Sequence, residues 1–187
     1  MSQDTQWPDD AVFTVGHSTH PLAEFIALLH AYGIARLVDI RTVPRSRHNP
    51  QFNADALAVT LPGAGIGYVP MQALGGLRRA RKDSPNTGWR NASFRGYADY
   101  MQTPAFAAAV DALVALVALG RERRVAIMCA EAVPWRCHRS LVADALNARG
   151  VPAVEILSAG KHRMHALTSF ARVEGTRVTY PPTAPAA

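Results

Sequence analysis

VAIMCAEAVPWRCHRS, residues 125–140, decides the architecture. VAIMC is apolar throughout and too short for a helix, as a strand covered on both faces would be. AEAVPW carries small residues and a proline and reads as a loop. CHRS then opens an apolar helix that runs to Arg149 and is closed by Gly150. A strand that runs through a short loop into a helix is the repeating unit of a parallel sheet with helices on its faces. In such sheets ligands bind beyond the carboxyl ends of the strands, where this loop lies.

Working outward, the same alternation recurs. Apolar runs at Val12–Gly16, Ala35–Ile40, Gly65–Val69, Arg124–Cys129 and Val151–Leu157 predict strands. Thr19-His20-Pro21 starts a helix that Gly33 ends, with Leu22, Phe25, Ile26, Leu29 and Tyr32 at helical spacing. Asn53 is placed to cap a helix over 54–61. A short helix is expected over Phe94–Met101, and a long one from Thr103-Pro104 to Leu119, closed by Gly120. A last helix is expected over 163–173 and an edge strand over Thr176–Tyr180. The stretch 70–93 is irregular, and an irregular stretch of that length is usually functional or mobile. The expected fold is α/β: one three-layer α/β/α domain over 11–180, Rossmann-like, with a mostly parallel sheet of about five strands. Residues 1–10 read as a loose leader and 181–187 (PPTAPAA) as a disordered tail.

The chain has 187 residues, which suits one domain with a sizeable core. Apolar residues make up 49%, which excludes a disordered chain. No apolar run is long enough to cross a membrane, and the start lacks the basic-then-apolar order of a signal peptide. A cytoplasmic location with no membrane partner is expected. In a reducing compartment, the two cysteines are expected to be free and chemically useful, or metal-binding, in preference to a structural bridge, with a regulatory disulfide as the remaining alternative. The formal charge of +6 rests on arginine, since Lys82 and Lys161 are the only lysines. Arginine forks suit phosphate and carboxylate, which points to an anionic ligand or nucleic acid. Abundant alanine and arginine with little lysine is equally what GC-rich coding produces.

Reactive residue types follow the strands. Gly16-His17-Ser18-Thr19 follows the first strand. Asp39 and Arg41 end the second, with Arg45, Arg47 and His48 close behind. Gly75-Gly76 follows the third. Cys129, Glu131, Arg136, Cys137, His138 and Arg139 follow the fourth, and Lys161 and His162 the fifth. In a parallel sheet all of these gather on one edge. The candidate catalytic residues are Cys129, Cys137, Glu131, His138 and His17. The candidate ligand-binding residues are Ser18, Asp39, Arg41, Arg45, Arg47, Gly75, Gly76, Arg95, Tyr97, Arg136 and Arg139.

Three chemistries fit that set. The first is a thiolate nucleophile in a hydrolase or transferase, with Cys137 activated by a helix start and neighbouring arginines. Cys129 to Arg136 is C-x6-R, one residue longer than the tyrosine-phosphatase loop, which argues against a phosphatase. The second is a metal site using Cys129, Cys137 and His138, although C-x7-C-H matches no standard zinc spacing. A metal ion is therefore possible but not favoured, and no cofactor is assigned. The third is an anion pocket in which helix N-termini and arginines grip a phosphate, a nucleotide included. A non-catalytic nucleic-acid-binding module is the remaining alternative, with Phe52, Trp89, Phe94 or Tyr97 stacking on bases.

GHST, LVDIRTVPRSRHNPQFN, LGG, SFRGYADYM and CAEAVPWRCHRS together resemble the bacterial and archaeal family called domain of unknown function 488, over roughly residues 12–172. The resemblance implies a compact α/β domain with these motifs gathered in one pocket. It implies no reaction.

Overall fold

The computed structural model describes residues 7–119 and 121–184. Most of the leader, the end of the tail and Gly120 therefore lie outside the described residues. Among the described residues, eight strands form: β1 (Val12–Gly16), β2 (Ile34–Asp39), β3 (Gly67–Pro70), β4 (Arg124–Cys129), β5 (Ala153–Ser158), β6 (Lys161–Met164), β7 (Arg172–Glu174) and β8 (Arg177–Thr179). The helices are α1 (Leu22–Ala31), α2 (Ala54–Gly63), α3 (Ala92–Tyr100), α4 (Pro104–Val117) and α5 (Arg139–Asn147).

The first six strands make one sheet in the order β3-β2-β4-β1-β5-β6. Its first five strands run parallel and β6 runs antiparallel to β5. The sheet therefore has the expected parallel core, plus an antiparallel edge that the sequence reading did not include. Alternation along β4 builds the layers. Val125, Ile127 and Cys129 face a core shared with α3, α4 and α5. Ala126 and Met128 face a second core shared with α1 and α2. Both cores exclude water, so β4, between them, is apolar on both sides. This is a three-layer α/β/α fold.

Local chemistry explains the helix starts. Thr103 accepts the Phe106 N–H through Oγ1 (3.2 Å), with Pro104 as the first helical residue of α4. Asn91 accepts from the Ser93 and Phe94 N–H groups and caps α3. Asn53 does not cap α2. Its side chain turns back and accepts the Ser46 N–H (2.8 Å), which folds the 41–53 loop onto itself.

In the carboxyl-terminal region one expectation fails and another, the last strand, forms in a different place. No helix forms over 163–173. His165 is held between Asp144 of α5 and Glu155 of β5 (2.7 and 2.8 Å), and β6 is zipped along β5, so this segment is extended. Tertiary ties of that kind override local helix propensity. The strand near Thr176–Tyr180 pairs with β7 in a separate hairpin rather than with the edge of the main sheet. At the other end, Trp7 packs against Phe13, Tyr32 and His162. No single helix among the described residues is long and apolar enough to cross a membrane.

Candidate active site at the carboxyl ends of three strands

The sheet order places β4 between β1 and β2, so the loops after these three strands are neighbours. Gly16 is level with Cys129 and Asp39 with Met128. The ladder continues past the strands, with His17 N–H donating to Cys129 O (3.0 Å) and Ser18 N–H to Ala130 O (2.9 Å). A cavity of about 710 Å³ opens above these loops. That is within the ordinary range of about 300–1,000 Å³ for a small-molecule site.

His17, Ser18, Arg41, Arg45, Gly76, Tyr97, Cys129, Glu131, Arg136, Cys137 and His138 line this cavity. Asp39, Arg47, Gly75, Arg95 and Arg139 do not. Asp39 lies below Arg41 and grips it bidentately, Nε to Oδ1 at 2.8 Å and Nη2 to Oδ2 at 2.6 Å. Tyr68 Oη–H also donates to Asp39 (2.7 Å), and Phe52 O accepts from Arg41 Nη2 (2.7 Å). Arg41 is thereby fixed, with Nη1 turned to His17 Nε2 (3.2 Å). His17 Nδ1 in turn faces Ser18 O at 2.8 Å. This pattern makes Nδ1 the protonated nitrogen and leaves Nε2 as acceptor. Burial lowers the pKa of His17 to about 4, the Arg41 charge contributing, so the ring is neutral.

Cys129 and Cys137 were expected to be free; the structure joins them as a disulfide, with Cα atoms 7.6 Å apart. The end of β4 and the approach to α5 converge at the cavity floor, which brings the sulfurs together. Cys137 sits two residues before α5, and the Arg139 N–H points at its Sγ (3.5 Å). His138 Nδ1 lies 3.6 Å from the same sulfur, while Nε2 faces Ile40 O at 3.0 Å. The carbonyl accepts, so Nε2 carries the proton and the bare Nδ1 lone pair faces sulfur. Burial, aided by the Arg139 and Arg78 charges, lowers His138 to about 4.

Arg139 was expected on the ligand side. It is instead wholly buried behind the loop, where Nη2 donates to Glu131 O (2.7 Å). Its Nε and Nη1 have no partner, and burial lowers its pKa to about 10. Gly75 and Gly76 provide clearance. A side chain at Gly75 would strike Thr42, and one at Gly76 would press on the His138 ring. Lys161 and His162 belong to β6 and do not line the cavity. Of the proposed stacking aromatics, only Phe94 and Tyr97 line it. Phe52 is buried beneath His17, stacked at 4.3 Å.

The sequence reading missed Thr42, Asn49, Asn91 and Ser93 on the cavity wall. Asn91 carries a signal, as a helix cap straight after a long loop, but the other three carry none. Ser18 and Leu77, the two non-glycine residues with positive φ among the described residues (46° and 58°), also line the cavity. Backbone strain of this kind concentrates at functional sites. Among the described residues, no group of three or more His, Cys, Asp or Glu side chains is placed to hold a metal ion.

A protein-family model, described as Domain of unknown function DUF488, matches residues 21–146. It begins after the GHST segment. No curated protein and no solved structure matches the chain.

Proposed function

The chain belongs to the DUF488 family, and from that premise we propose that it is a cysteine-dependent enzyme acting on a phosphorylated or otherwise anionic ligand held in the cavity. The carrying observation is the alignment of Cys137 Sγ, His138 Nδ1 and Ile40 O. It is the arrangement of a nucleophile, a base and a group that orients the base. Once an external thiol has reduced the disulfide, the Cys137 thiolate forming beside the ring offsets the burial that keeps His138 neutral, and His138 Nδ1 takes the Cys137 proton as the ion pair forms. The Arg139 N–H and the start of α5 stabilise the thiolate. Arg41, held rigid by Asp39, and Arg136 at the mouth bind the anion. Glu131 and neutral His17 are the further groups within the cavity able to carry a proton. The reaction class is hydrolysis or group transfer at the ligand's electrophilic atom.

The test is alkylation of Cys137 in the reduced protein, followed by mass spectrometry. His138→Asn is expected to slow alkylation at pH 7 by about a hundredfold or more, in the range of a lost general base. Inorganic phosphate or a nucleoside monophosphate is expected to protect Cys137. Equal rates in both proteins, with no protection by either anion, would overturn the reading.

A further inference from the structure

Three loops frame the cavity mouth: residues 41–53, 76–95 and 130–138. Arg45, Arg47, Arg79, Arg90 and Arg136 sit on them and Arg95 on the first turn of α3 that follows, and none of these side chains makes a hydrogen bond or ion pair. The acidic residues of these loops are Asp83, which is paired with Arg81, and Glu131. Away from the mouth several arginines are engaged. Arg124, Arg149, Arg163 and Arg177 each donate to an acceptor of the protein itself. Arg36, Arg123 and Arg172 elsewhere are also without a side-chain partner, but these three segments carry six such arginines, of which Arg45 and Arg136 line the cavity itself.

Apolar groups lie among these charges. Val43 and Leu77 stand at the mouth with 59% and 82% of their surfaces exposed. Leu77 is the least expected of them. It holds a left-handed backbone, which costs a side-chain-bearing residue roughly 1–2 kcal/mol, and its side chain packs into neither core. Folding gains nothing from a leucine there. Inside the mouth, the Phe94 ring lines the wall, braced by stacking on Trp89 at 4.9 Å.

Unpaired arginines that alternate with exposed apolar and aromatic side chains around a concave opening match a single-stranded nucleic acid. Its backbone presents regularly spaced phosphates, and its unstacked bases present flat faces. A membrane would meet a flat or convex apolar face rather than a cavity rim, and an acidic peptide offers no planar rings. We infer that a single strand of nucleic acid crosses the cavity mouth, its phosphates on the arginines of the three loops and one nucleotide entering the cavity. This rests on the reading of the cavity as an anion site and names the polymer to which that anion belongs.

The experiment uses the reduced full chain and a fluorescently labelled twelve-residue oligothymidylate, with anisotropy recorded against salt. Binding is expected at 50 mM salt and should weaken as salt rises. For single strands the log–log slope is about −0.7 per phosphate neutralised. Arg79→Ala/Arg90→Ala, which leaves the cavity wall untouched, is expected to reduce that slope by about 1.4 and to weaken binding at least tenfold. Protection of Cys137 by thymidine monophosphate should remain as in the unaltered protein. No binding at 50 mM salt, or binding indifferent to salt, would overturn the inference. Equal competition by polyglutamate of matched charge would also overturn it, in favour of an acidic protein partner. Equal affinity for a duplex of the same length would overturn the single-strand assignment. If thymidine monophosphate protects Cys137 while the oligomer does not bind, this inference fails and the anion site stands. If the oligomer binds with the expected salt slope while Cys137 is unprotected, the strand surface stands and the thiol chemistry fails.

Discussion

Two glycines beside the cavity separate folding from function at the level of single residues. A Cβ on Gly16 would lie 1.7 Å from the backbone carbonyl oxygen of Glu131, and neither partner can turn away. A Cβ on Gly76 would lie 3.1 Å from His138 Nδ1, a contact that a small tilt of the ring relieves. Gly16→Ala is therefore expected to cost about 3 kcal/mol in urea unfolding, as overpacking against backbone does. Gly76→Ala should cost less than about 1 kcal/mol yet slow Cys137 alkylation, because the tilted ring no longer faces sulfur. Equal losses of stability in the two variants would contradict this account. The sequence showed that glycines and reactive types cluster here, but not which way they point. Gly75-Gly76 reads as a turn that cradles a ligand, whereas the structure uses it as room for Thr42 and His138. Arg139 reads as a ligand contact because it neighbours Cys137 and His138. Its direction is set by the Glu131 carbonyl on the far side of the loop, which no spacing reveals.

Among the elements, the irregular stretch between β3 and α3 depends most on one side chain. Asp99 of α3 accepts from the Arg81 N–H (2.8 Å), Ser84 Oγ (2.5 Å) and Asn86 Nδ2 (2.8 Å). Asn86 then accepts the Tyr180 N–H (2.9 Å) and links the loop to the strand end after β8. Asp99→Ala strips these donors of their acceptor, at about 1–3 kcal/mol for a buried group left unpaired. Trypsin is expected to cut after Arg79, Arg81 or Lys82 at least tenfold faster in that variant, while the sheet remains folded by circular dichroism. Unchanged cleavage would show that the loop is held by something else. The central strands were legible because burial on both faces leaves an unbroken apolar run. The segment 163–173 was not, because its shape is set by Asp144 and Glu155, which are distant in sequence.

Over the whole molecule, three histidines set opposing limits on stability. His17 and His138 remain neutral in the fold down to about pH 4, whereas an unfolded histidine protonates near pH 6.5. As pH falls from 6.5 towards 4, the unfolded chain gains protons that the folded protein refuses, and stability drops. His165 behaves oppositely. Burial opposes its charge, but the bonds to Asp144 and Glu155 prevail and raise it to about 9. Its contribution is complete below pH 6.5 and is lost as pH rises through 9. Stability should therefore peak near pH 6.5 and fall more steeply on the acid side, where two histidines act, than on the alkaline side, where one does. Urea unfolding across pH 4.5–9 measures both limbs. His165→Asn should flatten the alkaline limb, and a flat profile from 6.5 to 9 in the unaltered protein would refute the assignment. None of this was visible in the sequence, which shows seven histidines without their partners. Strand order was equally hidden, since apolar runs do not say who pairs with whom.

That order bears on how the chain is made. β1 pairs with β4 and β5 and with no strand nearer in sequence. When Val12–Gly16 leaves the ribosome, both of its edges lie open until residues 124–158 follow. β2 and β3 can already pair with each other in that interval, so β1 is a guest that must wait for its place. An apolar strand with two bare edges is the segment of a nascent chain most exposed to pairing with the wrong neighbour. The arrangement that unites His17 with Cys129 thus leaves the newborn chain dependent on whatever shields its first strand.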